Sequence, residues 1–375
     1  MIKSTDFLLV KPYCFDEQIT EIDEQNISDG SALLSPLVVT ICKSEVKYYL
    51  GDKDPKKLAQ RLPLIFGHEA ACRVVSTGAK SKFQPGERVI VVPLNPCGQC
   101  LACQNGKVNF CTQAKFMGST APGAMRTYFI YPEELMIGIP ANIEPEIAAL
   151  TEPLTIGYRA VIDAGIKSTA RVAVVGAGTM GHILTLAISY FAKVPPSQLF
   201  IFDIQSVTLQ YVKQIATPIN IHTHHEEYRH QKGSFDFTFE VVGSQGSAQE
   251  AYELARPEGR IGILGLMDGL VTIFHSNSDD TSLLPETSLT IPNLTNFVNI
   301  GDQGILMGRQ IRGFSRSRLE DYHVILNALT NNPSLYEQVE KLINPSHFNI
   351  RRASDLKEAF EFTRFRRVRK VCLHF

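Results

Sequence analysis

The feature that most narrows the fold is a glycine triplet in a particular setting, Gly176-x-Gly178-x-x-Gly181. It follows the apolar run Arg171-Val172-Ala173-Val174-Val175 and opens a stretch, 182–191, whose apolar residues recur at helical spacing. A buried strand, a glycine turn and a helix in that order begin a β-α-β unit. Gly176 permits the tight turn, Gly178 lets backbone approach a pyrophosphate, and Gly181 lets helix and strand pack closely. The helix start then offers free N–H groups and a positive dipole end to phosphates. The alternation continues: 199–203, 235–242 and 260–265 read as strands, with a helical 248–255 between the last two. This predicts an α/β chain with a parallel, doubly wound sheet. Asp203 ends the second strand, 22 residues beyond Gly181. A carboxylate there accepts from ribose hydroxyls and repels a 2′-phosphate, which favours NAD(H). The competing reading of Asp203 is a helix cap.

The second constraint is sulphur. Four of the eight cysteines form Cys97-x2-Cys100-x2-Cys103-x7-Cys111, within a segment rich in turn formers: Pro96, Gly98, Gln99, Asn105, Gly106 and Asn109. Such a loop can bend four thiolates toward one Zn2+, and a closed thiolate set leaves no position for chemistry. We read it as a structural zinc clip; four free thiols and a nucleic-acid-binding ribbon are the alternatives. The ribbon conflicts with the charge balance, 37 basic against 38 acidic side chains, because nucleic-acid binding needs a basic excess.

Before the glycine triplet, short β-rich runs alternate with turns: 37–41, 73–75 and 88–92. They predict a mostly β domain ahead of the α/β one, in line with two domains for 375 residues. A helix near 320–330 and a strand near 368–373 are expected to return to the first domain. With 44% hydrophobic and 20% charged residues the chain reads as globular. No apolar run reaches membrane-spanning length, and residues 1–6 carry no export signature, so a reducing cytoplasm is expected. Residues 276–299, rich in Ser, Thr, Asn and Asp, read as a surface insertion or lid loop. His222, His224, His225 and His230 suggest a metal cluster but fall in a charged connection, so an exposed loop is the reading. The basic tail from Arg364 to Lys370 reads as a solvated or acid-paired strand face, with a phosphate contact as the sharper alternative.

Three further pieces carry ligand chemistry. Cys42 closes a β run within Thr40-Ile41-Cys42-Lys43-Ser44-Glu45; Gly67-His68-Glu69 lies about 25 residues on; Glu152-Pro153 precedes the nucleotide domain. Cysteine, histidine and carboxylate are zinc ligands of mixed softness, and a site with few protein ligands keeps a position open for water or substrate. With Cys42-Lys43-Ser44, Gly67-His68-Glu69-Ala70-Ala71, the four-cysteine lobe, Glu152-Pro153 and the glycine triplet, the chain resembles the zinc-dependent medium-chain dehydrogenases/reductases over essentially its whole length. The resemblance implies a GroES-like β-rich catalytic domain over 1–156 with its zinc lobe near 93–118, a Rossmann domain over 157–313, and a return to the catalytic domain over 314–375. It implies an active site in the interdomain cleft, and catalytic-zinc ligation by Cys42, His68 and Glu152, with Glu69 as an adjacent, exchangeable ligand. Ser44 matches the hydroxyl that relays a proton. Dimers or tetramers are usual in the family. The chain departs from it at three positions: Cys72 where Gly usually follows the Gly-His-Glu signature, Glu45 where Asp usually supports the ligating histidine, and Lys47 where some alcohol dehydrogenases place a relay histidine.

A narrower resemblance, in 41–51, the charged stretch to Leu62-Pro63, the opening Leu9 to Asp16 and Gly313-Phe314-Ser315-Arg316-Ser317, is to ribulose-5-phosphate reductases. It implies hydride transfer from NAD(P)H to the C2 carbonyl of a ketose phosphate, D-ribulose 5-phosphate to D-ribitol 5-phosphate. That group uses NADP(H), in contrast to the NAD(H) favoured by Asp203. A sugar phosphate needs a cation at its far end. Lys47 and Arg316 are the candidates, Arg316 first because its fork matches phosphate, and Lys43 is a candidate contact to cofactor phosphate. The alternatives are another zinc polyol or alcohol dehydrogenase of sorbitol or threonine type, and a non-catalytic nucleotide-binding or zinc-bearing interaction protein.

Overall fold

A computed structural model describes the chain except residues 216–219, 224–226, 266–269, 276–286, 293–307, 315 and 366–368; for 57, 213–215, 220–223, 227, 229, 270–275 and 287–292 it describes backbone alone. The described residues form two compact units, 1–155 with 316–375, and 156–315.

The first unit is built on β-sheet. A seven-stranded sheet runs in the order Met136–Gly138, Arg88–Val91, Ala70–Thr77, Ser31–Thr40, Lys370–His374, Ile343–Asn349, with Phe129–Pro132 also pairing to Ser31–Thr40. The hairpin of Ile2–Lys11 and Cys14–Ile22 forms a second sheet with Leu64–Ile65. The returning C-terminal strand is antiparallel to Ser31–Thr40, with Cys372 opposite Thr40. Two helices that the β-rich reading of this region passes over, Lys43–Tyr49 and Pro55–Arg61, lie between the strands. The first begins at Cys42, directly after the strand that ends at Thr40. Cys72 lies inside the unbroken strand Ala70–Thr77, fully buried, so no glycine turn follows Glu69.

An aromatic cluster fills the core beneath these helices. Phe360, on the helix Ala353–Arg364, is fully buried and meets Phe15 at 5.0 Å, Tyr49 at 5.2 Å and Phe66 at 5.9 Å between ring centroids. Tilted and stacked contacts of this kind add to the burial of large apolar area.

The second unit is a six-stranded parallel sheet: Asn220–Thr223, Leu199–Asp203, Val172–Val175, Phe235–Glu240, Ala255–Ile263, Gln310–Gly313. Numbered along the chain this is the order 3-2-1-4-5-6 of the dinucleotide-binding fold. Val172–Val175 is buried at every position, as expected of a central strand covered on both faces. The helix Thr179–Phe191 follows it directly. Of the segment 276–299, only Thr287–Pro292 is described in its backbone. It is a strand paired with Leu270–His275 rather than a loop, and the rest lies outside the described residues. His222 falls on the strand Asn220–Thr223, His230 is exposed on the helix Glu227–Gln231, and His224 and His225 lie outside the described residues. In the basic tail Arg364 pairs with Glu361 at 2.8 Å, while Lys370 is buried. Among the described residues no helix is long and apolar enough to cross a membrane.

Truncating the centre of the aromatic cluster should be costly. Phe360→Ala is expected to destabilise the first unit by about 3–5 kcal/mol, read as a lowered urea midpoint followed by near-ultraviolet circular dichroism.

Candidate active site

The strand Ser31–Thr40, the helix Lys43–Tyr49 and the segment entering Ala70–Thr77 bring three ligand types together. Cys42 Sγ, a ring nitrogen of His68 and a carboxylate oxygen of Glu69 all lie within 4.8 Å of one another. Cys42 is the N-cap of its helix, and Glu45, three residues on, closes a capping box by accepting from the Cys42 backbone N–H at 3.0 Å. The same carboxylate reaches across the fold. Its Oε1 accepts from the Gly67 N–H at 2.9 Å and lies 2.9 Å from His68 Nδ1. Glu45 therefore ties the Cys42 and His68 segments together. Holding Nδ1 fixes the ring and leaves Nε2 as the nitrogen that would ligate a metal, as in a carboxylate–histidine–metal arrangement.

The charges match that purpose. Burial alone would lower the His68 imidazole, but the Glu45 carboxylate and Cys42 thiol raise it well above its usual value. A cation is thus favoured where the ligands meet. Glu69 is fully buried, and its carboxylate is already compensated: Lys370 Nζ sits 2.7 Å from Oε2 and also contacts Oε1, and the Thr40 hydroxyl donates to Oε2. Glu152, in the first turn of the helix Thr151–Ala164, stands outside the mutually close set yet within the field of His68, Glu69, Lys370 and Glu45. Its burial, more than these neighbours, pushes it up to about 7. A divalent ion nearby would restore its charge. The Ser44 hydroxyl donates to Cys42 Sγ at 3.2 Å. Lys43 heads the same helix, exposed, and Lys47 lies half-buried one turn on.

The four-cysteine lobe is a second centre in the same unit. Cys97, Cys100, Cys103 and Cys111 place their sulphurs within 4.8 Å of one another, with Cys100–Cys103 and Cys97–Cys111 at 3.5 Å. A tetrahedron of Zn–S bonds has edges of about 3.8 Å, so these residues fit a closed zinc site. Backbone N–H groups of Gln99 and Cys100 lower the Cys97 thiol, and that of Cys103 lowers Cys100 to about 6, whereas burial and the neighbouring sulphurs raise Cys103, so two of the four lean toward the thiolate a metal needs. Arg316, a non-glycine residue with φ of 62°, donates through Nη1 to the Cys111 carbonyl at 3.0 Å, and Arg318 Nε reaches Asn109 Oδ1 at 3.0 Å. The structure thus puts Arg316 against this lobe.

In the second unit the glycine loop has the geometry its spacing predicts. Gly176 has a φ of +109°, and a Cβ there would meet Val242 Cγ2 at 2.6 Å. A Cβ on Gly181 would fall 1.9 Å from the Gly176 carbonyl oxygen, so helix and loop approach closer than any side chain allows. Gly178 is the N-cap of the helix Thr179–Phe191. Asp203 accepts from the Ala177 N–H through Oδ2 and from the Gln205 N–H through Oδ1, both at 2.8 Å. It braces the glycine loop against the end of its own strand. His182 was not singled out by the sequence reading. Burial lowers its imidazole; Nδ1 lies 2.9 Å from the Gly178 carbonyl, and Nε2 is buried without a partner. No motif marks Lys370 or His182, because their partners lie far along the chain or in the backbone.

Comparison with known proteins agrees with this construction. Residues 28–141 match the alcohol dehydrogenase GroES-like domain. The uncharacterized zinc-type alcohol dehydrogenase-like protein YdjJ of Escherichia coli is 30% identical over 257 residues, covering 64% of this chain and 71% of that protein. The chain belongs to the zinc-dependent medium-chain dehydrogenase/reductase family. It is an NAD(P)-dependent, zinc-containing dehydrogenase/reductase acting on CH–OH groups. A ribulose-5-phosphate reductase of Bacillus spizizenii is 25% identical over 352 residues, 92% of this chain and 91% of the relative. The crystal structure of Staphylococcus aureus TarJ in complex with NADPH shares the fold, with a TM-score of 0.73 at 20% identity, covering 100% of this chain and 99% of that one.

Two substitutions test these geometries. Glu45→Ala is expected to weaken zinc retention at the Cys42–His68 centre by about 10–100-fold, measured as one zinc per chain lost on dialysis against chelator while the lobe keeps its own. Gly181→Ala is expected to abolish saturable binding of reduced nicotinamide cofactor, followed by its fluorescence enhancement.

Proposed function

We propose that this dehydrogenase reduces the C2 carbonyl of a ketose phosphate, D-ribulose 5-phosphate to D-ribitol 5-phosphate, with Cys42, His68 and Glu152 holding the catalytic zinc and Glu69 as an adjacent ligand. The observation that carries the redox centre is the Cys42–His68–Glu69 cluster oriented by Glu45. The substrate rests on the similarity to the Bacillus spizizenii reductase, which spans nearly the whole of both chains. The net reaction moves a hydride from the dihydronicotinamide to C2 and a proton to its oxygen, turning a ketone into a secondary alcohol. Zinc held by these residues supplies Lewis acidity toward the carbonyl oxygen. Ser44 passes the proton. Arg316 and Lys47 bind the substrate phosphate, and Lys43 contacts a cofactor phosphate. The Asp203 carboxylate repels a 2′-phosphate, which supports NAD(H) over NADP(H). None of the eight cysteines is joined in a disulfide, which suits a reducing cytoplasm.

A steady-state panel tests the reading. Ribulose 5-phosphate, xylulose 5-phosphate, fructose, sorbitol and threonine are each assayed with both cofactors. The highest kcat/KM is expected for ribulose 5-phosphate, and a clear preference for an unphosphorylated polyol sinks the substrate assignment. Arg316→Ala should raise KM for the phosphorylated ketose by about tenfold or more, the scale of one charge-assisted contact, and leave the unphosphorylated analogue little changed. Equal losses on both substrates count against a phosphate contact.

A further inference from the structure

Outside the sites above, a third set of metal-ligating side chains meets on the first unit. Glu146 lies on the short helix Pro145–Ala149, His347 on the strand Ile343–Asn349, and His374 on the strand Lys370–His374. One ligand atom from each lies within 4.8 Å of the others. The two strands are parallel neighbours, with Cys372 opposite His347 and His374 opposite Asn349, which brings the two imidazoles side by side. His347 Nδ1 and His374 Nε2 are 2.9 Å apart, with ring planes within 15° of each other. Glu146 Oε1 lies 3.9 Å from His374 Nε2.

A hydrogen bond between two imidazoles makes one nitrogen the donor and the other the acceptor, so at least one ring of the pair is neutral when it forms. Burial is the main influence lowering His374, and His347 adds to it against the opposing pull of Glu146. Neutral imidazole is the form that binds metals. The spacing also fits: two nitrogens about 2.0–2.1 Å from one ion, at right angles to each other, stand about 2.9–3.0 Å apart. His347 is exposed, while Glu146 and His374 are each about a quarter exposed in their side chains (25% and 27%), so an ion can enter from solvent and keep open positions.

We propose that Glu146, His347 and His374 form a peripheral site for a first-row divalent ion of the imidazole-preferring kind, Zn2+, Ni2+ or Cu2+. The set has two borderline nitrogen ligands and one hard oxygen, which disfavours Mg2+ and Ca2+. It is separate from both cysteine-containing centres and shares no ligand with them.

The test uses the zinc-loaded enzyme, equilibrated with Ni2+ while zinc release is monitored. One Ni2+ per chain is expected to bind without releasing zinc. His347→Ala, at an exposed position, should lower that affinity at least about tenfold, as loss of one ligand implies, and Glu146→Gln should weaken it less. Dehydrogenase activity of His347→Ala without added metal should equal wild type, which confirms the fold. With Cu2+ as the probe, electron paramagnetic resonance should show hyperfine coupling to two imidazole nitrogens in wild type and one in His347→Ala. Absence of Ni2+ uptake, or uptake and spectra that His347→Ala leaves unchanged, overturns the proposal.

Discussion

One buried carboxylate organises the catalytic unit. Glu45 accepts from the backbone of Cys42 and of Gly67 and holds His68 Nδ1, so a single side chain joins a helix start to a strand entry more than twenty residues away. Each bond alone is an ordinary contact. Together they fix the separation of the two softest ligands before any metal arrives, because the side chain is itself almost wholly buried and has no other place to put its charge. Removing one partner from such a network leaves the others uncompensated in a low-dielectric interior, which is why these losses exceed the worth of a single hydrogen bond.

Around this tie, the acids outnumber their compensating cations. Glu45, Glu69, Glu152 and the Cys42 thiol face Lys370 and the His68 imidazole. Lys370 is raised despite the burial that opposes its charge, because Glu69 and Cys42 surround it with negative groups. It pairs directly with Glu69, whereas burial raises Glu152 despite the pull of His68 and Lys370. The pattern separates two roles that similar residues could otherwise share: one carboxylate latched by a lysine, the other poised beside the ligand cluster. A dication is the economical way to satisfy the remaining charge, whereas extra lysines would fill the space a substrate needs.

Much of this was legible in the chain, for reasons that differ by element. The glycine loop could be read because its spacing and the strand before it are local in sequence, although the Cβ that Gly176 excludes would meet Val242, a neighbour only the fold supplies. The cysteine lobe could be read because its ligands are close in sequence. Lys370 could not: it reaches Glu69 from 301 residues away, through a strand paired with Ser31–Thr40 that only tertiary structure supplies. The helices Lys43–Tyr49 and Pro55–Arg61 were hidden among β-rich neighbours, and the former is set by its capping box more than by apolar periodicity. Glu45 stood out only as a departure from the usual aspartate. Its extra methylene is absorbed by its place in the helix's first turn, from which it spans both segments.

The two cysteine centres show how backbone context divides one chemistry into two. In the lobe, sulphurs within one short loop face each other and receive backbone N–H donors, which favours a closed and inert thiolate cage. At Cys42 the lone sulphur caps a helix, accepts from the Ser44 hydroxyl, and meets an imidazole and carboxylates supplied by distant segments. A mixed, sparsely thiolate set leaves more positive charge on a bound ion than four thiolates do, and so keeps it electrophilic toward an oxygen ligand. Arg316 gives the lobe a further use. By donating to the Cys111 carbonyl from a left-handed backbone conformation, it anchors the point where the chain re-enters the first unit to the lobe itself. A metal held in the lobe would therefore also steady this point of re-entry, apart from any chemistry.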